Sequence, residues 1–137
     1  MMRKLIYSVL ILFLSNFSLA SDYEKKQINK LFNQLKNTTN YEESKIIESQ
    51  IWDLWTTHPT DESLTNLLSD GSFYMSQNNL ESAYETFTKT INLDPNWAEA
   101  WNKRATVLYL MGNYQLSQND IDKVLHLEKR HFGALSG

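Results

Sequence analysis

Displacing this 137-residue sequence by 34 positions brings it back onto itself. Leu67 falls on Trp101, Gly71 on Ala105, Tyr74 on Leu108 and Asn78 on Gly112. Leu80 falls on Tyr114, Ala83 on Ser117, Phe87 on Ile121 and Thr90 on Val124. Large residues land on large ones and small on small. A period of this length means one supersecondary unit that buries its apolar face only by stacking on its copies. Few other sequence features restrict a fold as strongly.

The unit is helical. Leu64, Leu67, Leu68, Gly71, Tyr74 and Met75 form one stripe of a helix starting near Thr60. Gln77-Asn78-Asn79 breaks it, and Leu80, Ala83, Tyr84, Phe87 and Ile91 form the next. Trp97, Trp101, Ala105 and Leu108 mark a third helix of this region, then Gly112-Asn113 breaks, and Tyr114, Ser117, Ile121 and Val124 mark a fourth. Asn78 and Gly112 both accept the left-handed backbone that ends a helix. Upstream lie two further helices, one with Ile28, Leu31, Phe32 and Leu35, the other with Ile47, Ile51, Leu54 and Trp55. Ser21 with Glu24, and Asn40 with Glu43, have capping-box spacing. The second of these helices is expected to end at His58, before Pro59. Only four glycines and two prolines are present, too few turn residues for an all-β chain.

Small residues at Gly71, Ala83, Ala105 and Ser117 imply close approach of antiparallel helices, with Tyr74, Phe87, Trp101 and Ile121 filling the flanks. In "INLDPNWAEAW", Asp94 ends one helix and Pro95 cannot continue it. Asn96 is then expected to cap the next, with Glu99 three residues on. A stop and restart without slack fixes the rotation between successive helix pairs, which makes a superhelix with a concave face.

The first copy reads Leu67-x2-Asp70-Gly71-x2-Tyr74, Ala83-x3-Phe87 and Pro95. The second reads Trp101-x2-Arg104-Ala105-x2-Leu108 and Ser117-x3-Ile121, with Lys129 in place of the usual proline. This pattern resembles the tetratricopeptide repeat family. The resemblance implies an all-α fold, tandem antiparallel helix pairs in a short right-handed solenoid. It divides the chain into a leader at 1–20, a non-consensus helix pair at 21–59, two repeats within 60–131 (about 64–97 and 98–131), and the start of an incomplete third repeat at 132–137. "RHFGALSG" behind such repeats also resembles periplasmic tetratricopeptide proteins of alphaproteobacteria.

In this family partners lie in the concave groove made by the first helix of each pair. Carried over by register, the groove residues are Thr65, Leu68, Ser72, Met75, Ser76, Glu99, Asn102, Lys103, Thr106, Tyr109 and Leu110. The alternative for Leu68, Met75, Tyr109 and Leu110 is packing against the N-terminal helices. Arg104 with Asp120 matches a recurrent family variant and implies an ion pair between the two helices of the second repeat.

The first twenty residues, "MMRKLIYSVLILFLSNFSLA", have a basic start, a ten-residue apolar run and small residues at Ser18 and Ala20. This is the order of a secretory signal peptide cut after Ala20. The run is short for a membrane span of about 20 residues. The expected location is periplasmic or secreted, with an uncleaved membrane anchor as the alternative. Removing Arg3 and Lys4 leaves 11 basic and 16 acidic residues, a net charge of −5, which disfavours nucleic acid as a partner.

No cysteine is present, which removes disulfides, thiolate metal sites and cysteine nucleophiles. No catalytic motif, cofactor motif or metal-ligand spacing appears. His58, His126 and His131 read as surface or helix-end residues. The expected function is a non-catalytic module binding a protein or peptide. Alternatives are a self-assembling structural protein of the cell envelope and a helical cell-wall enzyme or accessory subunit. Leu125, Leu127, Phe132 and Leu135 crowd the C-terminal end, which reads as a sticky face suited to homo-oligomerisation.

Overall fold

The computed structural model describes residues 22–136, and every described element is a helix. The expected leader at 1–20 and Ser21, with its half of the first capping box, lie outside the described residues. The chain divides into two compact units at Thr60/Asp61.

The first unit holds α1 (22–37) and α2 (Tyr41–Thr56). Ile28 and Leu31 of α1 and Ile47, Ile51 and Trp55 of α2 are buried. Phe32 meets Trp55 at 6.1 Å between ring centroids, and Trp52 stands edge-on to Trp55 at 5.4 Å. The side chain of Asn40 accepts a hydrogen bond from the Glu43 amide at 3.1 Å, the first half of a capping box. The second half differs from expectation. Asn40 donates its own amide to Thr38 Oγ1, and that hydroxyl bonds to the Glu43 carboxylate. Thr38 thus stands between the two members of the box. α2 ends at Thr56, with Thr57 already extended as its C-cap, so the helix stops two residues before the expected His58.

The second unit runs α3 (Glu62–Ser76), α4 (Leu80–Leu93), α5 (Ala98–Leu110), α6 (Tyr114–Leu127) and α7 (Phe132–Leu135). Each helix packs on the next, and α3 also touches α5. Asp61 caps α3 by accepting from the Ser63 amide at 2.9 Å. The α3–α4 and α5–α6 turns are built alike. Asn78 and Gly112 take φ of 57° and 77°. The residue after each returns its amide to the last turn, Asn79 to Tyr74 O and Asn113 to Leu108 O.

The core joins Leu64, Leu68, Ala83, Phe87, Ile91, Trp97, Ala100 and Val107. Burial of each large side chain contributes about 1.5–3 kcal/mol. Gly71 shows why the small positions are small. A Cβ there would stand 2.5 Å from Cε1 of Phe87, whose ring is fully buried. In the second pair Ser117 occupies the place of Ala83 and donates its hydroxyl to the Ala105 carbonyl at 2.8 Å, a direct bond between α5 and α6.

The junction at Asp94-Pro95 differs from expectation by one residue. Asp94 accepts the Asn96 amide on Oδ1 at 2.9 Å, closing a tight side-chain turn. The helix therefore begins later, with Trp97 at the N-cap and no side-chain cap. Asn96 does not cap it, and Glu99 is buried elsewhere. Trp101 locks the turn from within the helix by donating Nε1–H to the Pro95 carbonyl at 2.9 Å.

The same turn recurs 34 residues on. Glu128 accepts the Arg130 amide at 2.9 Å as Asp94 accepts that of Asn96. His131 occupies the N-cap place of Trp97, and α7 starts one residue later as α5 does. Leu125, Leu127 and Phe132 are half-buried and Leu135 is exposed. The expected cluster of four apolar groups facing water together is therefore reduced, because α7 folds against α6.

Candidate functional site

The first helices of the two pairs, α3 and α5, carry the eleven register-derived groove positions, and the structure sorts them. Ser76, Thr106, Tyr109 and Leu110 are exposed, while Thr65, Ser72, Met75, Asn102 and Lys103 are half-buried. Leu68 and Glu99 are buried and offer no surface. Leu68 is a core residue, and Met75 packs against the same cluster. The hydroxyls of Ser72, Ser76 and Thr106 donate to carbonyls of their own helices, at Leu68, Phe73 and Asn102. What remains open is a small polar surface bordered by Tyr109 and Leu110.

Glu99 departs furthest from expectation. Its Oε2 lies 2.9 Å from Nε2 of His131, and neither side chain has any solvent access. Nδ1 of His131 accepts the Ala134 amide, so Nε2 carries the proton and donates to Glu99. Asn102 donates to the same oxygen at 3.1 Å. Lys103 Nζ stands 3.5 Å from Oε1, which has no hydrogen-bond partner. His131 is thus a buried helix cap and not a surface residue. His58 is buried as well. Displacement by 34 contains the missed signal, because it lays His131 on the buried Trp97.

Arg104 of α5 reaches Asp120 of α6 with two parallel hydrogen bonds, Nε to Oδ2 at 2.8 Å and Nη2 to Oδ1 at 2.9 Å. Nη1 donates to Thr88 Oγ1 of α4 at 3.2 Å. The guanidinium lies 5.0 Å from the Trp101 ring centre and 5.7 Å from that of Tyr84. Three helices thus share one cation. The bond to Asp120 raises the Arg104 pKa above its ordinary value, with burial opposing. Asp70, which lies 34 residues before Arg104, is exposed.

Among the described residues no group of His, Asp or Glu is arranged to hold a metal ion, and no helix is long and apolar enough to cross a membrane. The geometry offers surfaces and a rigid frame.

Stacked helix pairs with matching turns and a shared cation define a helical-repeat protein. A family model described as tetratricopeptide repeat matches residues 71–96. Over 121 residues the chain is 37% identical to a TPR repeat-containing protein of Rhizobium etli, an alphaproteobacterium. That match takes in 86% of this chain and 57% of the relative, so the chain spans little more than half of the relative's length. The chain is a tetratricopeptide repeat protein.

Proposed function

We propose that this is an exported protein-interaction module that captures a peptide or helix on the α3–α5 face of a short right-handed solenoid. The observation that carries the reading is the division of labour within α5. Trp97, Ala100 and Val107 hold the core. Thr106, Tyr109 and Leu110 project outward from the same helix. Their backbone is fixed by the Pro95 turn at one end and the Gly112 turn at the other. A surface held this way costs little ordering on binding. Tyr109 and Leu110 provide apolar anchors, and Ser72, Ser76 and Thr106 keep the neighbourhood small and polar, a composition suited to a helix or extended peptide. Export rests on the leader-like order of residues 1–20, and the net charge of −5 for residues 21–137 fits a protein partner better than nucleic acid.

The test is affinity capture from envelope extract with two baits, the wild-type chain and a Thr106→Arg/Leu110→Arg variant with unchanged circular dichroism. A partner retained by the wild type and lost by the variant supports the proposal. Equal retention by both baits would place recognition elsewhere.

A further inference from the structure

Charge is divided unevenly between α1 and the rest of the chain. Residues 21–40 hold four lysines, Lys25, Lys26, Lys30 and Lys36, against Asp22 and Glu24, a net charge of +2. Residues 41–137 hold seven basic and fourteen acidic residues, a net charge of −7. At 3.6 residues per turn the four lysines, with Asn29, Asn33 and Asn37, fall within about 140° of the α1 circumference. This arc lies opposite the buried Ile28 and Leu31, and all seven of its side chains are exposed. Asp22 shares the arc in the first turn, whereas Glu24 lies on the core side and is half-buried. Among the described residues none of the four lysines makes an ion pair, although Lys45 pairs with Glu48 at 2.8 Å and Lys103 with Glu99 at 3.5 Å. Lys26, Asn29, Lys30 and Asn33 line an open cleft of about 620 Å³. Glu43 borders the cleft, but its carboxylate is engaged by the Thr38 hydroxyl.

We propose that the lysine face of α1 docks on an anionic phospholipid surface, with Lys26, Lys30 and the amides beside them receiving head-group phosphates. Charge complementarity carries the argument. The lysines run along one side of a straight helix for about 17 Å, from Lys25 to Lys36. A row of like charges at one level matches a planar array of phosphates better than a single ligand, which needs groups that converge. The arc holds no aromatic ring to stack on a base and no arginine to fork a phosphate, so it is poorly suited to nucleic acid. It holds no large apolar side chain either, so α1 lies on the head groups and does not insert. The acidic remainder does not cancel the attraction, because charges farther from the surface than about 8–10 Å are screened at physiological salt. This face belongs to the first unit and is independent of recognition on the α3–α5 face.

The test is a lysine footprint of the full chain. Vesicles of phosphatidylglycerol mixed with phosphatidylcholine, or of phosphatidylcholine alone, are added at low salt, accessible lysines are acetylated, and each site is quantified by mass spectrometry. Lys25, Lys26, Lys30 and Lys36 should be protected by the anionic vesicles and not by the neutral ones. Lys89 and Lys129, exposed positions elsewhere, should be modified equally in both. The footprint reads α1 itself, so retention of the chain by its first twenty residues does not imitate it. In Lys26→Gln/Lys30→Gln the vesicle concentration that half-protects Lys25 and Lys36 should rise about fivefold or more, the scale of one lysine at an anionic surface. Lys89→Gln/Lys129→Gln removes the same charge and should leave that concentration unchanged. Glutamine forms helices about as well as lysine, and circular dichroism verifies that both variants remain folded. Equal acetylation of the α1 lysines with the two kinds of vesicle overturns the proposal, as does an unchanged midpoint in Lys26→Gln/Lys30→Gln. Protection by inorganic phosphate at the same ionic strength, without protection by the anionic vesicles, would assign the cleft to a free anion and overturn membrane docking.

Discussion

Arg104 and Asp120 are linked by two parallel hydrogen bonds, and their side chains keep 15% and 6% of their solvent access. Removing the carboxylate leaves a guanidinium held by one hydroxyl and two rings. Asp120→Ala should therefore destabilise the chain by about 2–4 kcal/mol, the range for stranding a buried charge reduced for the water Arg104 still reaches. Urea unfolding measures this. A loss under 1 kcal/mol, about the size of a surface pair, would mean the arginine is solvated. Glu128 provides a pH test. Burial pushes its carboxyl up, but hydrogen bonds from the Arg130 side chain and amide outweigh that and hold it below its ordinary 4.5. A depressed carboxylate contributes stability above its unfolded value and loses it as pH falls through the folded value. Glu128→Gln should thus lower stability at pH 7 and flatten its fall below pH 4.5, as read by urea midpoints across that window. Arg104 and Asp120 were legible in the sequence because both sit at register positions the family pattern marks. Glu99 with His131 was not, since the two lie 32 residues apart and neither interrupts a helical stripe.

Helix pairing in this chain depends on what is missing from the side chains as much as on what is present. Alanine is the better helix former at an interior glycine by about 1 kcal/mol. At Gly71 the added methyl would meet the buried Phe87 ring at 2.5 Å, and that clash should prevail. Gly71→Ala should lower stability by about 1–3 kcal/mol, checked by thermal or urea unfolding. A stabilised variant would show that the pair has room to spread. The junctions are set as firmly. The helical stripes and the 34-residue period place every described helix, yet they miss the α5 start by one residue and the α2 end by two. Both misses come from local chemistry that periodicity does not carry: the Asp94 side-chain turn in one case, the extended Thr57 in the other. At the C-terminal junction, His131→Ala removes the α7 cap and the donor to Glu99. It should cost about 1–3 kcal/mol and speed amide exchange at Leu135, whose bond to the His131 carbonyl closes that turn. Unchanged exchange would mean the cap does not hold α7.

For the whole molecule, the sequence carried the repeat architecture more clearly than the binding surface. Repetition writes the fold twice, so each core position is read against its copy. A surface position has no such control. Leu68 and Glu99 fall in the groove by register, yet one is core and the other is buried against His131. The proposed leader makes its own prediction: N-terminal sequencing of protein exported by a bacterial host should begin at Ser21, and full-length protein held in membranes would indicate an anchor instead. Recognition on the α3–α5 face is the proposal on which the function of the molecule turns. The most direct measurement is site-specific photo-crosslinking in the native envelope, with a photoreactive residue placed in turn at Ser72, Thr106, Glu85 and Asn119. Ser72 and Thr106 lie on the proposed face, whereas Glu85 and Asn119 are exposed positions on α4 and α6. One partner should crosslink from Ser72 and Thr106 and not from Glu85 or Asn119. A partner captured from α4 and α6 but not from α3 and α5 would contradict it.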